Sequence, residues 1–275
     1  MNLIMKDKIA FLFLTVGDLN QELMWKDFFN EGEDRCTIYA HTKEVDKLED
    51  SILKDKQIDD KIETKWGHIS LVQATNLLFK HALKDKNNKY FMLVSETCMP
   101  LYSFDFIYDI VTKHKKSWVN ETGRKLKFKE EAIKKLTNPE SIGILKPHDM
   151  KFCSQWILLN RKHAEIVSKY DYTDTVFKNQ LGVADECYHI NVLKYHDPDF
   201  FNNNFTSEEI TFKKFLGLRH PHPHEWSIKK GVKTLRMLSS FKSSMFFRKV
   251  ESANKLDYKD IKECEFNNYK IKYYG

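Results

Sequence analysis

A chain of 275 residues with 41% hydrophobic, 31% charged and 13% aromatic side chains, but only 9 Gly and 6 Pro, can fill a sizeable core. That excludes a disordered or collagen-like polymer and a miniature domain dependent on disulfide or metal staples. The formal net charge of +6 is unevenly placed, because residues 210–250 hold ten Lys/Arg against a single acid, Glu225, a balance suited to meeting an anion.

Ile9 to Val16 is an apolar run with no small-residue cleavage site, followed at once by Gly17-Asp18, so it reads as a buried strand rather than a secretory signal. Asp18 is the expected N-cap of a helix carrying Leu23, Trp25, Phe28 and Phe29. Cys36 to His41 follows as a short strand and Lys43 to Lys54 as a polar helix. Ser70 is the expected cap of a helix with Ala74, Leu77, Leu78 and Ala82 at helical spacing. Tyr90 to Val94 is a continuous apolar run of strand length. This order predicts an α/β fold, a mostly parallel central sheet with helices on both faces. Ligands of such sheets gather at the carboxyl ends of the strands, here Thr15-Val16-Gly17, His41-Thr42 and Ser95 to Cys98.

The spacing continues with a helix over Phe104 to Lys115, then Trp118 to Glu121, and a poorly patterned Lys-rich stretch from Lys125 to Lys135. A strand at Gln155 to Asn160 and helices at Lys162 to Tyr170 and Asp185 to Tyr195 come next. The tail after Leu256 has no clear period and is expected to be an edge strand or loosely attached. With no repeat and no flexible linker, residues 1–275 read as one domain, and no run approaches the roughly 20 apolar residues of a membrane span. Five cysteines (Cys36, Cys98, Cys153, Cys187, Cys264) without CxxC or tight Cys/His spacing suggest neither a disulfide framework nor structural zinc, and fit a reducing compartment.

No P-loop, Gly-x-Gly-x-x-Gly or Gly-x-Ser-x-Gly turn is present, which removes the usual NTPase, dinucleotide and hydrolase readings. What the chain does hold is an ordered series: Lys8 to Thr15, Ile38 to His41, Trp66 to Ser70, Ser95-Glu96-Thr97-Cys98-Met99-Pro100-Leu101, Cys153-Ser154-Gln155-Trp156, Asp185 to Tyr188, His222-Pro223 and Phe246 to Val250. This series resembles the core-2/I-branching β-1,6-N-acetylglucosaminyltransferase family from about residue 8 to 250, with Cys153 where the family has Gly.

The resemblance implies a GT-A type, inverting glycosyltransferase that moves a sugar from a UDP-sugar donor, UDP-GlcNAc or UDP-xylose first, to a glycan hydroxyl without a divalent metal. It implies Glu186 as general base. It implies Arg219 and Lys249 as diphosphate ligands, with Arg236 and Arg248 as alternatives to Arg219. It places Glu121, Gln155 and Trp156 at the acceptor, and Trp66 and Gly67 with Thr15, Val16, His41, Ser95 and Glu96 at the donor. The chain then divides into a nucleotide half (1–115), an acceptor half (116–210) and a basic segment with tail (211–275). The compact Lys-rich form resembles bacterial or large-virus members, so a cytoplasmic location and, from the opening Met, a complete chain are expected.

The residues support this chemistry independently. Charge on a departing diphosphate needs a metal or fixed cations, and Ser95-Glu96-Thr97 stands where an Asp-x-Asp metal pair would follow the central strand. A single displacement needs a carboxylate at the acceptor hydroxyl, and a helix N-terminus favours an ionised Glu186, although Asp185-Glu186 also suits a simple helix cap. Asp197-Pro198-Asp199 reads first as a turn and second as the metal pair of a metal-dependent transferase. His220 to His224 reads as phosphate contact or backbone packing before zinc. The basic segment reads as a solvated face or diphosphate site before a nucleic-acid groove, and a non-catalytic sugar- or nucleic-acid-binding protein is the remaining alternative. The sequons at Asn120 and Asn204 read as chance matches.

Overall fold

The computed structural model describes residues 6–123, 150–174, 177, 184–212, 244–250, 258 and 259. Nine strands and five helices are used below. The strands are β1 Lys8–Thr15, β2 Cys36–Thr42, β3 Asn88–Val94, β4 Met99–Pro100, β5 Ser117–Trp118, β6 Leu158–Asn160, β7 Phe205–Thr206, β8 Thr211–Phe212 and β9 Phe246–Phe247. The helices are α1 Glu22–Glu31, α2 Ser70–Ala82, α3 Phe104–His114, α4 Arg161–Lys169 and α5 Tyr188–His196.

Central strands without a polar residue have both faces to cover, and β1 is the case in point: Ile9 to Phe13 are all fully buried. The main sheet runs β2-β1-β3-β6-β5-β7. β1 pairs in parallel with β2 and β3, β6 is antiparallel to β3 and β5, and β7 is parallel to β5. Only β6 is therefore reversed, and the expected mostly parallel α/β sheet is what forms.

Successive side chains of β1 point to opposite faces. Phe11 and Phe13 meet the rings of Trp25 and Phe29 on α1, and Phe11 also meets Phe28, Phe104 of α3 and Phe246 of β9. Ala10 stands beside Phe91 of β3 in the register, and Phe91 meets Phe79 of α2. Helices thus cover both faces, α1 and α3 on one and α2 on the other, where α4 and α5 pack alongside it.

Three local expectations change, each for a traceable reason. Lys43 to Lys54 holds only two 3₁₀ turns, Val45–Lys47 and the start of Lys54–Lys56. The Glu22 carboxylate takes the Ser51 hydroxyl at 3.1 Å and the Ile52 N–H at 2.6 Å, so donors a helix would turn inward are spent on α1. Asp18 does not cap α1, which starts at Glu22 with Gln21 at its N-cap position. The chain is held open there because Asn20 donates its N–H to the Glu96 carbonyl (3.0 Å) and its side-chain amide to the Val250 carbonyl (2.6 Å). Ser70 opens α2 without capping it, as its hydroxyl accepts the Lys65 N–H at 3.0 Å and tightens the preceding loop.

The basic segment and tail are described only in part. Arg219, Arg236, the His220 to His224 run, Lys125 to Lys135 and Cys264 lie outside the described residues. Tyr258 shows that the tail is attached at that point, since its hydroxyl bonds the Glu31 carboxylate and accepts the Phe104 N–H. Among the described residues, no helix is long and apolar enough to cross a membrane. Cys36, Cys98, Cys153 and Cys187 are buried, and none of the four is in a disulfide.

Candidate active site

Because β1, β2 and β3 run in parallel, their carboxyl ends fall on one edge, as the sequence requires of a ligand site. Thr15 and Thr42 share a hydroxyl bond of 2.9 Å there. Val16 is half exposed, and its backbone bonds the Glu96 side chain. Burial raises the Glu96 carboxyl above its ordinary range against that bond and against the charges of Arg248 and Lys249. Ser95 is buried and spends its hydroxyl on Thr97 (3.0 Å) and the Cys98 sulfur (3.4 Å), which makes it the brace of the 95–98 turn.

His41 is buried, its Nε2 accepts the Ile62 N–H at 3.2 Å, and burial lowers its pKa, so it anchors the loop leading to α2 as a neutral ring. That loop ends in Trp66, 74% exposed, and in Gly67, whose φ of 68° is the left-handed region that Gly enters without strain.

The residues that join this edge come from distant sequence. β4 pairs antiparallel with β9, with Met99 opposite Phe247. This pairing brings residues 248–250 to the 95–98 turn, and the Val250 N–H donates to the Thr97 carbonyl at 3.0 Å. The Arg248 guanidinium lies 4.6 Å over the ring of Trp156, which is itself buried.

Trp156 is delivered by a short backbone match in which the Thr122 N–H meets the Phe152 carbonyl (2.8 Å) and the Ser154 N–H meets the Asn120 carbonyl (3.2 Å). The Cys153 N–H then donates to the Glu186 carbonyl at 2.8 Å. Glu96, Trp156, Glu186 and Lys249, four positions singled out from sequence, are thereby brought to one neighbourhood, with Arg248 over the Trp156 ring and its charge opposing the upward shift of Glu96. Gln155 is half-buried beside Trp156. Glu121 is paired at 2.5 Å with Lys151, so one carboxylate oxygen is already engaged.

Glu186 is not inside a helix. It closes a 3₁₀ turn, Ala184–Glu186, and α5 begins only at Tyr188 with Cys187 at the N-cap position. Asp185 consequently does not cap α5. Burial, with the neighbouring Glu186 adding to it, pushes its carboxyl from 3.8 up to about 6, against its own backbone bond and Arg248. Folding therefore takes up a proton at Asp185, so its contribution to stability is complete below about 4 and is lost as pH rises through about 6. Asp185→Asn is expected to remain folded and to gain on the order of 2–3 kcal/mol over the native chain at pH 8, with the gain vanishing near pH 4. Urea melts at the two pH values check this, and an equal or negative change at pH 8 rejects it.

Asp197 behaves as a structural group. Its Oδ2 takes Lys162 Nζ at 2.8 Å and His163 Nε2 at 3.0 Å, and His163 Nδ1 meets Ser117 Oγ at 2.5 Å. The set has the order of a Ser-His-Asp triad, but Ser117 and His163 are fully buried, so it fastens β5 and α4 to the end of α5 and offers no nucleophile. Among the described residues no three His, Cys, Asp or Glu side chains are grouped to hold a metal ion.

Two features of the cleft escaped sequence reasoning. Lys151 as the partner of Glu121 and Asn20 as the clasp on Val250 carry no local signature, since each contact depends on a chain crossing. Arg248 had a signal in its place next to Lys249, but nothing in the run said that it stacks on Trp156.

The Core-2/I-branching enzyme family model matches residues 9–239 of this chain. A segment of 166 residues, 58% of the chain, is 31% identical to glycosyltransferase BC10 of Oryza sativa subsp. japonica, and the match spans 40% of that protein's length.

Proposed function

Since the chain belongs to the Core-2/I-branching enzyme family, with the α/β sheet of a GT-A-like glycosyltransferase, we propose that it is an inverting transferase. It would move a sugar from a UDP-sugar to a glycan hydroxyl without a divalent metal. The observation that supports this best is that Glu186 and Lys249, 63 positions apart in sequence, are brought to the same 153–156 segment, Glu186 through its carbonyl bond to the Cys153 N–H and Lys249 as the neighbour of the Arg248 that lies over Trp156.

In this reading the donor lies along the carboxyl edge of β1 to β3, near Val16 and Glu96, with Thr15, His41, Ser95 and the Trp66-Gly67 loop forming and bracing that wall. Lys249 and Arg219 meet the diphosphate, where fixed cations offset charge as the bond to the sugar breaks. The acceptor packs on Trp156 between Gln155 and Glu121, and the Glu186 carboxylate removes the proton of the attacking hydroxyl. The sugar carbon is attacked from the face opposite UDP, so one bond forms as the other breaks and the anomeric configuration inverts. The donor order, UDP-GlcNAc or UDP-xylose first, follows the family resemblance. A cytoplasmic site of action is favoured by Cys36, Cys98 and Cys153, which are buried as free thiols.

Metal independence is tested by turnover in EDTA. Activity is expected to change less than twofold on chelation and on addition of manganese or magnesium, because the diphosphate charge is met by side chains. Activity lost in EDTA, restored by manganese and abolished in Asp197→Asn would establish the metal-dependent alternative instead. A screen of UDP-sugars with linkage analysis then identifies donor and product.

A further inference from the structure

Asn191 is buried on α5, 1% exposed, and its carboxamide bonds two stretches of backbone. The Oδ1 accepts the Lys151 N–H at 3.0 Å, and the Nδ2 donates to the Lys151 carbonyl at 2.9 Å. One side chain thus answers both backbone groups of a single residue, as a neighbouring strand would. The same Nδ2 donates to the Cys187 carbonyl at 2.6 Å. Asn favours caps and turns over helix interiors, and a buried amide costs stability unless it is bonded, so helix formation alone does not call for Asn here.

The two stretches it ties together lead to the two carboxylates of the site. On one side, Lys151 pairs with Glu121 at 2.5 Å while its ammonium lies 5.8 Å over the Phe201 ring. On the other, Cys187 directly follows Glu186, whose own support is a single 3₁₀ turn, Ala184–Glu186. Glu121 also bridges Cys153 in antiparallel fashion, and the Cys153 N–H donates to the Glu186 carbonyl at 2.8 Å. Glu121 and Glu186 are therefore joined twice through the 151–153 segment, once by the Cys153 backbone and once by Lys151 and the Asn191 amide.

We propose that Asn191 is a positioning residue for the transfer: by tying Lys151 to Cys187 it sets where the Glu186 carboxylate stands relative to the acceptor segment 151–156. This rests on the reading of Glu186 as the base. Asn191 touches no reacting atom and acts through Glu186 alone. A short turn held by few bonds moves easily, and a misplacement of about 1 Å in a catalytic group costs on the order of 10²-fold in rate.

The test uses the full chain, with hydrolysis of UDP-GlcNAc and UDP-xylose as the reaction and water in place of the glycan hydroxyl. Asn191→Leu keeps the volume and removes the amide. It is expected to lower kcat roughly 10- to 100-fold, with donor KM and UDP affinity changed less than twofold. In a Glu186→Gln background the same substitution should cost less than a further twofold, because a residue that acts through the base has nothing more to lose once the base is gone. Ser117→Ala, which removes a buried hydrogen bond to His163 away from the cleft, should leave kcat within twofold. Amide hydrogen exchange reads the tie without any donor: in Asn191→Leu the Cys153 N–H, bonded to the Glu186 carbonyl, should exchange at least tenfold faster, and the Ser154 N–H, bonded to the Asn120 carbonyl, less than threefold faster. If Asn191→Leu does not fold, Asn191→Ser takes its place, since a Ser hydroxyl can still bond the carbonyl one turn back, and a kcat loss of at least threefold is expected. A full further loss in the Glu186→Gln background, an equal loss in Ser117→Ala, or equal exchange at the two amides makes Asn191 merely structural and overturns the proposal. Near-normal hydrolysis by Glu186→Gln refutes the base reading instead, and a native chain that neither binds UDP nor hydrolyses either donor refutes the transferase reading; the proposal falls with each.

Discussion

Glu186→Gln is expected to lower turnover of the UDP-sugar by roughly 10²- to 10⁴-fold, the range lost when a positioned general base is removed, with UDP affinity almost unchanged. Gln keeps the length and shape of the side chain, so the turn Ala184–Glu186 and its carbonyl bond to the Cys153 N–H remain. What is lost is the acceptor of the hydroxyl proton. Donor binding is spared because that proton leaves from the acceptor side. Turnover measured at saturating donor, with UDP affinity by calorimetry, separates the two effects. Near-normal turnover in Glu186→Gln together with an inactive Asp185→Asn would transfer the base to Asp185. That residue is the natural competitor, since burial pushes its carboxyl up to about 6.

Lys249→Ala is expected to reduce UDP affinity by roughly 10- to 150-fold, as a charge-assisted contact contributes about 1.5–3 kcal/mol. Turnover should fall at least as far, because charge on the leaving diphosphate grows toward the transition state. Arg219→Ala is expected to behave in the same way, whereas Lys230→Ala and Lys233→Ala should change affinity less than twofold through weak, screened attraction. Titration of all four variants at low and high salt decides the matter. Small, equal and strongly salt-dependent losses at every position would mean a diffuse basic face and would favour a nucleic-acid partner. A large loss confined to Lys249 would place the second phosphate contact elsewhere.

The predicted stabilisation of Asp185→Asn gives these two results a common background. An ionised carboxyl in a half-buried turn beside a second carboxyl costs stability at neutral pH. A chain selected for stability alone would carry Asn there. Keeping the charge makes sense where the pair does chemistry.

The sequence by itself determined the α/β class, the five helices with buried apolar faces, and the edge where a ligand must sit. Continuous apolar runs such as Ile9 to Thr15 and Tyr90 to Val94 can be satisfied only as central strands covered on both faces. The ordered motifs also singled out Glu96, Trp156, Glu186 and Lys249. What they could not supply was the joining of those four. That depended on β4 meeting β9 across a separation of 146 positions, from Pro100 to Phe246, and on Cys153 reaching the Glu186 carbonyl, neither of which leaves a periodic trace in a single strand.

Local reading also failed where side chains drew the backbone away from its own preference. Glu22 holds the 51–52 loop out of a helix, and Asn20 keeps Asp18 from capping α1 by reaching Glu96 and Val250. Propensity and spacing are properties of neighbours in sequence, whereas these bonds are made between segments that only the packed sheet brings within 3 Å of each other. The same packing half-buried Asp185 and fixed Arg248 on Trp156, so the electrostatics of the site were set by tertiary structure even though its residues, Lys151 and Asn20 excepted, could be named beforehand.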